Sequence, residues 1–159
     1  MLPVFAVMVS IPLVLNFLAT RRDFERHMDA LLGASMLCVF WALTTIFAGL
    51  WDFPESKKFH SLIDLIGLLA ATAMYATQRR VWKVALATLF MAQLIIHALY
   101  WSVYGGPTSG SIARGYILTL NITWVAQLLC VAYPGGSVVL RSALDWMRRH
   151  RGLGPLGRA

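Results

Sequence analysis

The sequence predicts an all-α membrane protein, built as an up-and-down bundle of five transmembrane helices. Hydrophobic residues make up 58% of the 159 residues and charged residues only 13%, whereas about 25% charged residues is usual in a soluble domain. The apolar residues are concentrated in five stretches of 17 to 22 residues. Because a helix needs about 20 residues to cross the hydrocarbon of a bilayer, each stretch is long enough to span a membrane.

Short connectors that hold most of the charge separate the five predicted spans. In chain order the spans cover about residues 2–20, 30–51, 61–77, 84–104 and 115–133. Asp29 stands where a cap for span two is expected, and Gly105-Gly106-Pro107 and Pro134-Gly135-Gly136 are typical ends for spans four and five. Since short connectors make sequential helices run antiparallel and side by side, residues 1–136 are predicted to form one transmembrane domain.

The basic residues predict the orientation of this domain. Eleven of the fourteen follow spans one, three or five, whereas Lys57, Lys58 and Arg114 lie on the other side. Cytoplasmic loops carry an excess of lysine and arginine, so we expect the N-terminus outside and the C-terminus in the cytoplasm. No charge precedes the first apolar stretch, unlike a cleavable signal peptide, and we therefore expect span one to be a permanent helix.

A basic amphipathic helix is predicted after span five, at residues 137–150, with a flexible tail at residues 151–159. Ser137 is a suitable cap, and apolar side chains alternate with arginines along the segment, which is too polar to span a membrane. Anionic lipids attract such side chains by about 1 kcal/mol each at the cytoplasmic surface. The residues expected at that surface are Arg141, Arg148, Arg149 and Arg151.

Polar residues inside the spans are the candidate functional residues, because ionisable groups in a membrane usually face a bundle interior or a water-filled path. Spacings of three and four residues place Gln93 and His97 on one stripe of span four, and a second stripe, on span five, carries Tyr116, Thr123 and Gln127. Facing stripes would form hydrogen bonds. The sequence thus predicts one polar cluster in the outer leaflet, made of Asp64, Gln93, His97, Asn121, Thr123 and Gln127.

Two interpretations of this cluster stay open. Hydrogen bonds between such side chains often hold membrane helices together, at about 0.6 kcal/mol each, and Ser61-Leu62-Ile63-Asp64 also has the pattern of a capping box. The alternative is a proton relay in which Asp64 pairs with His97. Their predicted depths differ by several ångström, so the relay would need a tilted helix or an intervening water molecule.

Other kinds of site have little support in the sequence. Cys38 and Cys130 lie inside spans without a Cys-x-x-Cys pair, and they are interpreted as small buried hydrophobic residues. Motifs of zinc proteases, serine hydrolases and phosphate-binding loops are absent. We therefore expect no catalytic residue, no metal site and no cofactor.

Neither the basic residues nor the aromatic residues at span ends indicate a further partner. The basic residues form no single patch interleaved with aromatic side chains, so no nucleic-acid partner is expected. Aromatic rings near span ends prefer the headgroup level of a bilayer. This interpretation applies to Trp51, Trp82, Trp101, Tyr104, Tyr116 and Tyr133.

The segment from Trp82-Lys83 through Gln93, His97 and Tyr100-Trp101, followed by Asn121 and Gln127, resembles small membrane proteins encoded by bacteriophages and prophages, some of them labelled holins. The resemblance covers roughly spans three to five. It implies a non-enzymatic protein that assembles in the bacterial host inner membrane, as a homo-oligomeric pore or as a subunit of a larger membrane complex. Familiar holins have one to three spans, so five spans are a departure. The alternative function is conduction of protons or small solutes through the polar cluster.

Overall fold

Helices are the only regular secondary structure in the described part of the chain. The computed structural model describes residues 2–50, 55–104 and 110–150, which form five α-helices and no strand. This confirms the predicted all-α class. The helices are α1 (Leu2–Thr20), α2 (Phe24–Leu50), α3 (Glu55–Thr77), α4 (Val81–Tyr104) and α5 (Ser111–His150).

Four of these helices are long and apolar enough to cross a membrane. The suitable segments in the described residues are His27–Phe47, Phe59–Thr77, Val81–Tyr104 and Ser111–His150, and α1 adds a shorter apolar helix over Ala6–Thr20. Large apolar side chains such as Leu69, Val103 and Leu129 are exposed on the outside of the bundle. A soluble monomer rarely exposes so much apolar surface, and the fold is consistent with a multi-pass membrane protein.

Helices α2, α3, α4 and α5 pack as a closed ring, and α1 lies on the outside of this ring. Within the described residues α2 contacts α3, α3 contacts α4, α4 contacts α5, and α5 returns to α2. The first helix, α1, contacts only α2 and α5. Every pair of sequential helices is therefore in contact, and α1 covers the side of the ring where α2 and α5 meet.

Four helices begin earlier than predicted, which corrects two assignments. The starts lie at residues 24, 55, 81 and 111, not at 30, 61, 84 and 115, because hydropathy marks the apolar part of a helix and polar first turns escape it. The carbonyl of Asp23 accepts the first backbone hydrogen bond of α2, from His27 N–H at 3.3 Å. Asp29 is thus inside α2, and Ser61 and Asp64 are inside α3. Neither predicted cap exists.

The fifth helix does not end at Pro134-Gly135-Gly136, contrary to the prediction. It continues to His150 over 40 residues, about 60 Å, twice the thickness of the hydrocarbon. Proline removes only one backbone hydrogen bond, and a neighbouring helix can compensate for it in a membrane. Residues 137–150 therefore continue α5, and their location on the membrane surface stays a prediction. Gly105-Gly106-Pro107, Arg151 and the predicted tail at 151–159 lie outside the described residues.

The crossing of α1 and α5 explains why glycine follows Pro134. A Cβ atom on Gly135 would lie 2.6 Å from the carbonyl carbon of Leu15 and 2.7 Å from the backbone nitrogen of Asn16. The buried Asn16 side chain bridges the two helices, because its Nδ2 donates to the carbonyls of Pro12 at 2.8 Å and Val131 at 2.7 Å. Close backbone approach and one shared amide therefore hold α1 against the ring.

An apolar core fills the middle of the ring. Leu37, Leu86, Phe90 and Val131 are almost fully buried there. Phe90 packs directly on Gly67, where a Cβ atom would lie 2.3 Å from its ring. Gly67 thus allows α3 and α4 to approach one another closely within one bundle.

Replacing Gly135 with alanine should destabilise the crossing of α1 and α5. Its Cβ would clash with backbone atoms, and overpacking of this kind costs about 1–3 kcal/mol. Gly136→Ala is the matched control, because a Cβ there would lie 3.7 Å from Leu15 Cδ1, an ordinary contact. Unfolding of the purified protein in mixed detergent micelles measures both. Equal stabilities of the two variants would contradict the close crossing.

Candidate functional site

A cavity of about 490 Å³ lies inside the ring, between α2, α3, α4 and α5. We call it the main cavity. Aromatic side chains of Phe40, Trp41, Phe90 and Trp124 form much of its wall. Its polar lining consists of Thr44, Thr45, His60, Asp64, Gln93, His97, Asn121 and Gln127. A wall of apolar and aromatic side chains with convergent polar groups is the usual composition of a small-molecule site.

His97 is the centre of a hydrogen-bonded triad at this cavity. Its side chain is 3% exposed, and its Nε2 lies 2.9 Å from Asp64 Oδ2 while its Nδ1 lies 2.5 Å from Tyr116 Oη. When Asp64 is ionised it only accepts hydrogen bonds, and in that state Nε2–H donates to it. In the neutral imidazole Nδ1 then accepts from the Tyr116 hydroxyl. The Asp64–His97–Tyr116 triad thus joins three groups that can each carry a proton.

The early start of α3 brings Asp64 and His97 to the same depth. Asp64 follows Glu55 by nine residues and His97 precedes Tyr104 by seven, which corresponds to about 13 Å and 10 Å along the helices. The expected depth difference was wrong because span three was taken to begin at Ser61. The two side chains are in direct contact, and neither an intervening water molecule nor unusual tilt is required.

Tyr116 is buried in the bundle, which corrects its assignment to the headgroup level. Its side chain is 6% exposed, and its ring stacks on that of Tyr100 with centroids 4.0 Å apart and planes at 13°. The stacked pair fixes the direction of the Tyr116 hydroxyl toward His97. The helical spacing of Tyr116 with Thr123 and Gln127 indicates a side chain that faces the bundle interior. Its position near a span end instead suggests a ring at the headgroup level.

The two polar stripes of α4 and α5 face one another, as their spacing predicts. Gln127 Nε2 donates to Gln93 Oε1 at 2.6 Å, and both side chains are buried. Asn121 also lines the main cavity and is exposed, so the cavity reaches the surface of the bundle. Thr123 is apart from this group, because it donates to the carbonyl of Thr119 at 2.9 Å and does not line the cavity.

A buried ion pair lies at the opposite end of the ring, and the sequence did not reveal it. Lys83 was expected in a connector, but it is fully buried in α4, where it pairs with Asp29 of α2 and donates to the carbonyl of Met74 at 2.7 Å. Lys83 and Gln93 are ten residues apart, or about 15 Å. The apolar core with Leu86 and Phe90 separates this pair from the main cavity.

The remaining predicted residues have peripheral positions. Arg141 and Arg149 are exposed and Arg148 is half-buried on the last turns of α5. Cys38 and Cys130 are free thiols and half-buried, each on its own helix. Among the described residues, no group of three or more His, Cys, Asp or Glu side chains is placed to hold a metal ion.

No protein-family model matches the chain, and it shows no significant similarity to a curated protein or to a solved structure. The fold and the cavity alone therefore define its class. It is an all-helical protein in which four helices able to cross a membrane surround a polar cavity.

The hydrogen bond between Gln93 and Gln127 should contribute measurably to stability. Replacing either glutamine with leucine leaves the other amide without its partner in an apolar environment. The free energy of unfolding should fall by about 0.6–1.7 kcal/mol. The double variant should lose less than the sum of the single losses. A double-mutant cycle by detergent unfolding measures this coupling. Strictly additive losses would show that the two amides do not interact.

Proposed function

We propose that the chain is a non-enzymatic, multi-pass membrane protein that conducts protons, or a small solute accompanied by a proton, through the main cavity. The observation that carries this proposal is the Asp64–His97–Tyr116 triad at the edge of a cavity of about 490 Å³. Histidine exchanges protons near neutral pH, and intramembrane Asp and His side chains commonly form proton relays.

The cavity favours conduction over a purely structural role for the polar cluster. Hydrogen bonds that only hold helices together need no open volume beside them. Here the exposed Asn121 faces the volume and forms no hydrogen bond or ion pair with any described residue. An amide inside a membrane needs hydrogen-bond partners, and in this proposal water or a polar solute in the cavity supplies those of Asn121.

The apolar core is the barrier that conduction has to cross. Leu86 and Phe90 separate the main cavity from the ion pair of Lys83 and Asp29. Water does not enter such a closely packed apolar layer, so a proton or solute that reaches Gln93 stops there until the helices move. In this proposal the apolar layer is a closed gate. The structure then corresponds to a state in which the main cavity is open to the surroundings and the path to the ion pair is shut.

The direction of the polar side chains favours a path inside one chain over a pore between copies. A pore lined by several copies needs polar residues on the outside of the bundle. The triad and the Gln93–Gln127 pair face the interior instead, whereas the exposed side chains are largely apolar. The holin-like pore implied by the resemblance has no comparable feature in its favour.

The proposed setting is the bacterial inner membrane, with α1 as a fifth span against α2 and α5. The full α1 has 19 residues, close to the roughly 20 that a span requires. The excess of basic residues after spans one, three and five favours an N-terminus outside and a C-terminus in the cytoplasm. The main cavity then lies in the outer leaflet and the ion pair in the inner leaflet.

Removing either ionisable member of the triad should abolish proton flux. We expect Asp64→Asn and His97→Ala to lower the flux at least about tenfold, since each interrupts the relay. The measurement uses liposomes that contain the purified protein and a trapped pH-sensitive dye, with a potassium diffusion potential as the driving force. The matched controls are Asp145→Asn and His150→Ala, both at exposed positions of α5, and they should keep wild-type flux. Retained flux in the triad variants, or altered stability alone, would favour the packing role.

Tyr116→Phe should lower the flux while leaving the fold intact. Phenylalanine keeps the stacking on Tyr100 but removes the hydroxyl bonded to His97. A hydrogen bond contributes about 0.5–1.5 kcal/mol, so we expect the proton flux to fall about two- to tenfold. The same liposome assay measures the flux, with Tyr75→Phe, on α3 and outside the main cavity, as control. Unchanged flux in Tyr116→Phe would exclude this hydroxyl from the relay.

A further inference from the structure

A second cavity, of about 360 Å³, lies at the end of the ring opposite the triad. We call it the basic cavity. It is formed by the first turns of α2 and α4, the connector before α4, and the middle of α5. The lining residues that matter for its chemistry are Asp29, Arg80, Trp82, Lys83, Tyr133 and Arg141.

Two positive charges in this cavity have no counter-charge in the described chain. Lys83 and Asp29 form an ion pair and neutralise one another. Arg80 and Arg141 are exposed, and neither guanidinium group forms a hydrogen bond or an ion pair with a described residue. Because the two arginines come from different elements and line one volume, the cavity is suited to an anion that bridges them. Guanidinium groups match the oxygens of a phosphate or carboxylate with paired hydrogen bonds.

The apolar part of the cavity indicates where that anion comes from. Val81 is 87% exposed and Tyr133 is 70% exposed, beside the half-buried Trp82. Tyr133 follows Ser111 by 22 residues of α5, about 33 Å, which is close to the thickness of the hydrocarbon. Aromatic side chains at that distance lie at the headgroup level. The basic cavity therefore opens where lipid phosphates are located, next to a surface suited to acyl chains.

We propose that the basic cavity binds the phosphate group of an anionic membrane lipid. Arg80 and Arg141 donate hydrogen bonds to the phosphate oxygens, and the lipid chains lie along Val81 and Tyr133. This site is more specific than a general attraction of lipids to the basic end of α5. It requires the two cavity arginines and not Arg149, which lies on the same helix beyond the cavity, or Arg79, which precedes Arg80 on the same connector.

Lipid-dependent stability of the full chain tests this site. The unfolding temperature is measured in detergent micelles that contain phosphatidylglycerol, phosphatidylcholine or inorganic phosphate at equal concentration, because a ligand that binds only the folded state raises it. Native mass spectrometry of the same samples counts bound lipid. We expect phosphatidylglycerol to stabilise the chain more than phosphatidylcholine, and inorganic phosphate to leave the unfolding temperature unchanged.

The variant Arg80→Gln with Arg141→Gln should bind phosphatidylglycerol about 100-fold more weakly, roughly tenfold for each arginine–phosphate contact. Arg79→Gln with Arg149→Gln removes the same charge outside the cavity and should weaken binding less, because it keeps both contacts and gives up only the general attraction of surface arginines to anionic lipid. Equal losses in the two double variants would reduce the effect to general charge attraction and overturn the proposal. Stabilisation by inorganic phosphate without a response to phosphatidylglycerol would overturn the lipid as the source of the anion.

A charge-conserving variant separates loss of binding from loss of folding. Arg80→Lys with Arg141→Lys keeps both positive charges but cannot form paired hydrogen bonds with phosphate. Its affinity for phosphatidylglycerol should fall between those of the wild type and the glutamine variant. Wild-type affinity in the lysine variant would contradict the proposed arginine–phosphate contacts, whether or not the glutamine variant folds.

Discussion

Polar side chains in a membrane helix must find their partners inside the protein, and the architecture of this chain depends on that constraint. Lipid offers no hydrogen bonds, so helices whose stripes carry Asp, His, Gln and Tyr residues gain stability by turning those stripes toward one another. The triad, the Gln93–Gln127 pair and the Lys83–Asp29 pair all lie inside the ring. The outward faces of the spanning segments can therefore be largely apolar, as contact with acyl chains requires.

The triad and the ion pair of the interior are separated by a packed apolar layer. Phe90 packs on Gly67, and Leu37, Leu86 and Val131 complete this layer. Apolar side chains offer no hydrogen-bonding groups, so a proton cannot be passed along them from one polar region to the other. The same layer gives α3 and α4 their close contact, so the barrier between the polar regions and the stability of the ring have a common origin.

Much of this arrangement could be predicted from the sequence, and the exceptions have physical reasons. Apolar stretches located the helices, and three- and four-residue spacing correctly made the Gln93 and Gln127 stripes face each other. Hydropathy could not locate polar first turns, so Asp29 and Asp64 were misread as caps. Lys83 and Tyr116 were misplaced because residue type near a span end does not reveal which side of a helix faces the ring. Pro134 and Gly135 look like a stop signal until the crossing with α1 is known.

The uninterrupted course of α5 has a consequence for how the two ends of the molecule communicate. One helix supplies Tyr116 and Gln127 to the main cavity and Arg141 to the basic cavity. A rotation of this helix about its own axis, or a change in its bend at Pro134, alters the lining of both cavities together. A ligand whose binding moved α5 at one cavity would therefore change the affinity at the other cavity, and by linkage the change would be the same in both directions.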